Sequence, residues 1–329
     1  MNFSNFFNSW LYLEDGYYTN YKAIGKEGDF YTAVSTSKFF GGSIAKRLIE
    51  SIKEGFLDEN TTVLEIGAHR GYLLADIIEF IYTIEPMLLN TLTFAILEPF
   101  ENLQKIQKEY FDESFGGNIS FKHYSNFDEL DKEYFIVANE ILDAFPCELV
   151  LDNKKATVNK KFELEFNEPL DDKLKALSQK YNIFSGEIAV GYDDFAKSLS
   201  NIKKFEFVTF DYGALNHRGD FSIRVYKNHE TFSIFDTDFD FKDFYKISDI
   251  TYDVVFQHFI DECEAKNIKT VEFKTQMSAL INFGLLELLE ILKAKTNEAI
   301  YLKELNRVKN LIEPSLMGER FKMLRLRKS

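Results

Sequence analysis

Four apolar runs in this 329-residue chain each end in residue types that can bind or react. Thr62–Ile66 leads into Glu65-x-Gly67-x-x-x-Gly71. Leu92–Leu97 ends in Glu98, Tyr134–Ala138 in Asn139-Glu140-Ile141-Leu142-Asp143, and Phe205–Phe210 in Asp211-Tyr212-Gly213. Glycine after a strand lets a ligand approach the backbone, and the N-terminus of a following helix favours an anionic group. A carboxylate at the end of the next strand can accept both hydroxyls of a ribose. The convergence of the four ends points to a nucleoside-type cofactor. The glycine spacing is not G-x-G-x-x-G, which disfavours a pyrophosphate cradle. Taken singly, each feature also has a plain structural reading: a tight strand-to-helix turn at Gly67–Gly71, a solvated acid at Glu98, helix caps at Glu140 and Asp143, and a simple turn at Asp211-Tyr212-Gly213.

The elements that must position these residues follow from periodicity. Phe40, Ile44, Leu48 and Ile52 recur every four residues after Ser35 or Thr36, and Gly55 sits where a glycine stops a helix. Tyr72–Ile81 carries Leu73, Leu74, Ile77, Ile78 and Ile81 at helical spacing. A helix after Glu98 is expected to turn Leu103, Ile106 and Tyr110 inward. A strand is expected near Ile119–His123. Strands alternating with helices predict a parallel α/β sheet covered on both faces. Residues Glu148–Phe166 alternate apolar and polar, as antiparallel strands do, and start an insertion. Helices are expected near Thr251–Ala265 and Met277–Leu292, and Phe321–Arg327 reads as a closing strand. In an open sheet of this kind, ligands bind beyond the carboxyl ends of the strands.

Composition removes several function classes. Lys and Arg total 39 against 53 Asp and Glu, a net charge of −14, so no cationic face for nucleic acid is expected. Such a chain suits a cationic ligand or basic peptide. The two cysteines, Cys147 and Cys263, form no C-x-x-C, and no two of the five histidines share metal-ligand spacing, so no metal is expected. No apolar run is long enough to cross a bilayer, and Met1–Tyr21 lacks the basic and apolar regions of a signal peptide. The expectation is a soluble, cytoplasmic protein without membrane insertion. The 34 phenylalanines are read as composition bias, and Arg325, Arg327 and Lys328 as a solvated strand face or tail. His229 is read as a structural or solvated histidine.

Val63-Leu64-Glu65-Ile66-Gly67-Ala68-His69-Arg70-Gly71 resembles the E-L-G-P-G-R-G motif of the MidA-type methyltransferases. Gly25-Lys26-Glu27-Gly28-Asp29-Phe30-Tyr31-Thr32 resembles their G-x-x-G-D-F-x-T, and Ser37-Lys38-Phe39-Phe40-Gly41 their S-x-x-F-G. Ala138-Asn139-Glu140-Ile141-Leu142-Asp143-Ala144-Phe145-Pro146 is similar to A-N-E-F-F-D-A-L-P, and Asp211-Tyr212-Gly213 matches D-Y-G. Further matches follow at Asp249–Phe256, Lys274-Thr275-Gln276, Phe283-Gly284 and Met317–Lys322. They run in order over nearly the whole chain.

The resemblance implies a Rossmann-like class I methyltransferase sheet with an inserted substrate lobe and C-terminal helices. It divides the chain into a helical lead-in (1–60), a cofactor-binding core (61–147 and 205–275), an insertion (148–204), and C-terminal helices with the closing strand (276–329). It implies S-adenosyl-L-methionine as cofactor and an arginine side chain of a protein as acceptor, in the mitochondrial relatives a core subunit of respiratory complex I. Cofactor contacts are then expected from Glu65, Gly67, Ala68, Gly71, Glu98, Asp29 and Asn139. Glu140 is expected to orient the guanidinium, with Asp143 second. Two departures stand out. His69 replaces the family's central glycine, and Ala33-Val34-Ser35 replaces S-P-E, which removes one carboxylate. Both favour the alternative of a non-catalytic assembly chaperone on the same fold. A nicotinamide-dependent dehydrogenase is opposed by the missing G-x-G-x-x-G.

Overall fold

The computed structural model describes residues 1–19 and 32–329. In chain order the helices are α1 (Phe3–Leu11), α2 (Ala33–Thr36), α3 (Phe39–Lys53), α4 (Tyr72–Ile84), α5 (Glu101–Phe115), α6 (Asp172–Tyr181), α7 (Tyr192–Asn201), α8 (Phe256–Glu264), α9 (Gln276–Asn282), α10 (Leu285–Lys295) and α11 (Glu298–Ile312). The strands are β1 (Thr62–Ile66), β2 (Thr93–Leu97), β3 (Phe121–Tyr124), β4 (Glu133–Asn139), β5 (Cys147–Leu151), β6 (Lys154–Val158), β7 (Leu164–Pro169), β8 (Ser185–Ala189), β9 (Lys204–Ala214), β10 (Arg224–Lys227), β11 (Glu230–Ser233), β12 (Asp249–Thr251), β13 (Val254–Val255), β14 (Lys269–Thr275) and β15 (Phe321–Lys328). They fall into two compact units. One holds the described residues 1–19, Ile141–Lys197 and Tyr212–Ala265; the other holds Thr32–Glu140, Ser198–Asp211 and Lys266–Ser329.

The second unit is built on a sheet of order β14-β15-β9-β4-β1-β2-β3. Strands β3, β2, β1, β4 and β9 run parallel, and β14 is antiparallel to β15. From β1 the order steps one way to β2 and β3 and the other way to β4 and β9. That reversal is a topological switch point, and ligands of open α/β sheets bind at such a point, here beyond the carboxyl ends of β1 and β4. The expected α/β sheet is therefore present. Helices α3 and α4 bury Ile44, Leu48, Leu74 and Ile77 in one core with Val63, Phe135, Val137 and Val208.

Several local expectations shift, each for a visible reason. Thr32, rather than Ser35, caps a separate short helix through a reciprocal bond with Ser35, and the long helix starts at Phe39. The buried stripe of α5 is Leu103, Gln107 and Phe111, while Ile106 and Tyr110 are only half-buried. The helix expected over Met277–Leu292 is two helices, because Gly284 sits at φ +86° between them. Residues Leu280, Leu285, Leu288, Val308 and Leu311 join the core of the second unit, whereas the insertion up to Lys197 belongs to the first. Arg325 and Arg327 are not a solvated face. They converge with Arg47 on Glu206, which is fully buried.

The first unit contains the antiparallel sheet β7-β6-β5-β8, in which β5, β6 and β7 answer to the strands expected over Glu148–Phe166 and β8 has no counterpart in that expectation, and a second sheet β11-β10-β12. The described part of the lead-in, residues 1–19, belongs here, because α1 and Asn2 lie against the strands of the insertion. The phenylalanines have a packing role in this unit. Phe6 stacks on Tyr245 at 5.1 Å and meets Trp10 and Phe241 edge-on, and the Trp10 indole N–H donates to Ser248 O at 2.7 Å. Buried rings of this size supply much of the apolar area that a unit of short elements needs.

Candidate active site

Within the second unit the parallel register aligns three strand ends. Ile66 pairs with Leu97 on one side and with Ala138 on the other. Gly67, Glu98 and Asn139 therefore leave the sheet at one level. The loop from Gly67 to Gly71 has three left-handed residues in five: Gly67 at φ +73°, His69 at φ +48° and Gly71 at φ +83°. This turn brings Gly71 N–H onto Ala68 O at 2.7 Å and starts α4 directly behind it. Histidine accepts a left-handed backbone more readily than most residues, so the loop keeps its shape without the family's glycine.

The two glycines of the motif differ in what demands them. A Cβ on Gly71 would lie 2.7 Å from Phe111 Cε2, so packing against α5 excludes a side chain there. Gly67 directly follows β1, beside Ala68, which is 5% exposed. Glu65 is buried and accepts Leu74 N–H at 3.0 Å, satisfying one of the orphan donors at the N-terminus of α4. Burial pushes its carboxyl up to about 8, and the Asp76 carboxylate adds to this against the opposing Leu74 bond.

Glu98 is also buried. Its Oε1 accepts Phe100 N–H at 3.1 Å and its Oε2 accepts Gln107 Nε2–H at 3.2 Å. Burial raises this carboxyl, and those two donors pull it back toward the ionised form. A carboxylate has about four lone-pair sites, so two remain for a diol. At the end of β4, Asn139 Nδ2 donates to Glu140 Oε1 at 2.7 Å, while Asn139 Oδ1 is buried with no hydrogen-bond partner among the described residues. Glu140 stands at φ +54°, its N–H held by Phe210 O at 2.8 Å. A non-glycine residue in that region marks a backbone conformation held by its surroundings. No helix follows β4, so Glu140 and Asp143 are not helix caps. Asp29 and the motif around it lie outside the described residues.

Asp143 belongs to the first unit. It is 3% exposed, and burial pushes its carboxyl up to about 6 against a hydrogen bond from Tyr212 and the charge of Arg224. The Asp211-Tyr212-Gly213 run is not a turn but the end of β9. Gly213 pairs with Val254, and a Cβ on it would collide with Val254 O. The Arg224 guanidinium lies 4.7 Å from the Tyr212 ring centroid and bonds Asp253 Oδ1 at 2.5 Å. His229 sits with Asn228 in the two-residue turn joining β10 to β11, at φ +65° and +53°, which is a structural position. No group of three or more His, Cys, Asp or Glu able to hold a metal occurs among the described residues, and no described helix is long and apolar enough to cross a membrane.

Two residues in the second unit carry no sequence motif. Gln107 and His123 meet at 2.8 Å behind Glu98. The available signal was Gln107 itself, a polar residue between Leu103 and Phe111 on the buried stripe of α5.

Residues 43–274 match the family described as "Putative S-adenosyl-L-methionine-dependent methyltransferase". The mitochondrial protein arginine methyltransferase NDUFAF7 of Danio rerio is 21% identical over 339 residues, covering 93% of this chain and 78% of that protein. A protein of Burkholderia thailandensis, crystallised with S-adenosyl-homocysteine, superimposes with a TM-score of 0.84 at 20% identity, over 99% of this chain and 87% of its own. A native crystal structure from the same organism gives 0.79 at 20% identity, with the same coverage. The strand order, the aligned strand ends and the match over 43–274 agree: the chain belongs to the S-adenosyl-L-methionine-dependent methyltransferase family, and S-adenosylmethionine is its cofactor.

Proposed function

We propose that this methyltransferase acts on an arginine side chain of a protein. The observation that carries the reading is the end of β4. There Glu140 is held in a left-handed backbone with its carboxylate bonded to Asn139, beside the strand that leads into the glycine loop. The arginine methyltransferase activity named for the Danio rerio relative supports the same acceptor.

The donor set fits the cofactor. Glu98 retains acceptor sites for a ribose diol, Gly67 and Ala68 offer backbone without bulk, and the orphaned Asn139 Oδ1 suits an ammonium donor. Glu65, Gly67, Ala68, Gly71, Glu98 and Asn139 are the residues proposed to hold it, Glu65 and Gly71 chiefly by shaping the loop. When bound, the cofactor supplies an activated methyl group on a sulfonium. The protein's own contribution is positioning and charge. Glu140 accepts N–H bonds from the planar guanidinium, presents one nitrogen edge to the methyl, and takes the proton that nitrogen loses. Asp143, buried in the first unit, is the second candidate for binding the cationic acceptor. A subunit of respiratory complex I is the first acceptor protein to test.

Glu140→Gln retains shape but loses the charge. Incubated with radiolabelled S-adenosylmethionine and a lysate, it should transfer methyl at least 100-fold more slowly than the parent while binding the cofactor within about threefold. Parent-like transfer by this variant would remove Glu140 from its role. Mass spectrometry of a deletion strain should reveal the arginine that loses its methyl group. Cofactor binding without transfer to any protein would favour the assembly-chaperone reading, which the side chain of His69 in the loop supports.

A further inference from the structure

The side chain of Gln107 is fully buried, and every direction of its amide is occupied by a different part of the second unit. Nε2 donates to His69 O at 2.8 Å in the glycine loop and to Glu98 Oε2 at 3.2 Å at the end of β2. Oε1 pairs with His123 Nε2 at 2.8 Å on β3. The orientation is dictated. A flipped amide would set its oxygen against both the His69 carbonyl and the Glu98 carboxylate, two acceptor-to-acceptor contacts. His123 therefore carries its proton on Nε2 and donates to Gln107. A buried amide on a stripe otherwise made of Leu103 and Phe111 costs stability unless its bonds are made, so a residue chosen for packing alone would be apolar.

The geometry points to Gln107 as a positioning residue for the cofactor. It sets the Glu98 carboxylate for the ribose hydroxyls and holds the backbone of His69 in its left-handed turn, with His123 fixing which way the amide faces. This accounts for the loop's tolerance of His69. The carbonyl of the one non-glycine left-handed residue in the loop is tied down from α5, so its conformation does not depend on a glycine. It also gives Glu98 an N–H donor that favours the ionised, acceptor-only form a diol requires. The inference rests on Glu98 being the ribose acid.

The test is calorimetric binding of S-adenosylhomocysteine and of its 2′-deoxyribose analogue to the full-length parent, Gln107→Met, His123→Phe and Glu98→Gln. The parent should prefer the ribose ligand by about tenfold or more. Gln107→Met conserves volume but no bonds. It should bind S-adenosylhomocysteine about 10- to 30-fold more weakly and shrink the ribose preference to within about threefold. His123→Phe leaves Gln107 in place and should move both readouts the same way by less, which keeps the test valid if Gln107→Met fails to fold. In the ligand-free protein, hydrogen exchange at the amides of 67–71 should quicken in Gln107→Met. A merely structural role would weaken both ligands equally and leave their ratio at the parental value, which would overturn the proposal. If Glu98→Gln loses the preference while Gln107→Met and His123→Phe keep it, only the role of Gln107 falls. If Glu98→Gln keeps it too, the ribose assignment falls with it.

Discussion

Glu65, next to the end of β1, accepts the backbone N–H of Leu74 at 3.0 Å, so one side chain ties the central strand to the first turn of α4. The bond fixes the exit angle of the helix behind the glycine loop. It also places a carboxyl in an apolar setting, where burial holds its protonated form up to about pH 8.

That shift has a definite sign. The unfolded chain releases the Glu65 proton near the ordinary glutamate value of about 4.5, whereas the folded chain keeps it until about 8. The folded state binds more protons across that window, so stability falls as pH rises through it. Asp76 and Glu187, both pushed up to about 7 by burial, act in the same direction. Glu65→Gln still offers an oxygen to Leu74. It should reduce the loss of stability between pH 6 and 8.5 by up to about 1.4 kcal/mol per pH unit, the value for one proton. Urea unfolding at several pH values measures this. An unchanged slope would show that Glu65 does not titrate there.

Gly71→Ala should destabilise by about 2–4 kcal/mol, from a left-handed residue with a Cβ and from its collision with Phe111. Adding Phe111→Leu should recover the steric part alone, so the pair should be non-additive in a double-mutant cycle. A cost below about 0.5 kcal/mol for Gly71→Ala would contradict the packing account.

Glu206 is fully buried and bonds Arg47 Nε at 2.9 Å, Ser51 Oγ at 2.9 Å and Arg327 Nε at 2.6 Å. Removing it leaves guanidinium groups without their shared partner. Glu206→Ala should therefore cost about 3 kcal/mol or more in urea unfolding. Glu54 bonds Arg327 from a side chain that is 46% exposed, and Glu54→Ala should cost less than about 1 kcal/mol. Similar losses in both would mean that burial is not what makes the cluster matter.

The parts readable from sequence were those set by neighbours along the chain. Apolar periodicity and glycine punctuation located β1, β2 and β4 to within two residues, and the acids beyond them, because a strand's pattern and its terminating turn are local properties. The strand expected over Phe205–Phe210 runs on through the D-Y-G residues, an extension no local pattern reveals because Gly213 lies against Val254, some 40 residues on. The inward face of α5 was misplaced for a related reason. An amide at Gln107 reads as exposed until Glu98, His69 and His123 are seen to surround it.

The sequence by itself determined the alternation of strands and helices, the residue types waiting at each strand end, and the left-handed tolerance of His69. Only the tertiary structure decided which of them share a level in the sheet, that residues 1–19 join the insertion while the C-terminal helices join the core, and that Arg47, Glu206 and Arg327 meet in one buried cluster. The physical reason is range. Secondary structure follows from steric and apolar preferences over a few residues. Strand order, register and buried charge pairing depend on which distant segments lower the free energy together, and no short window of the chain contains both partners.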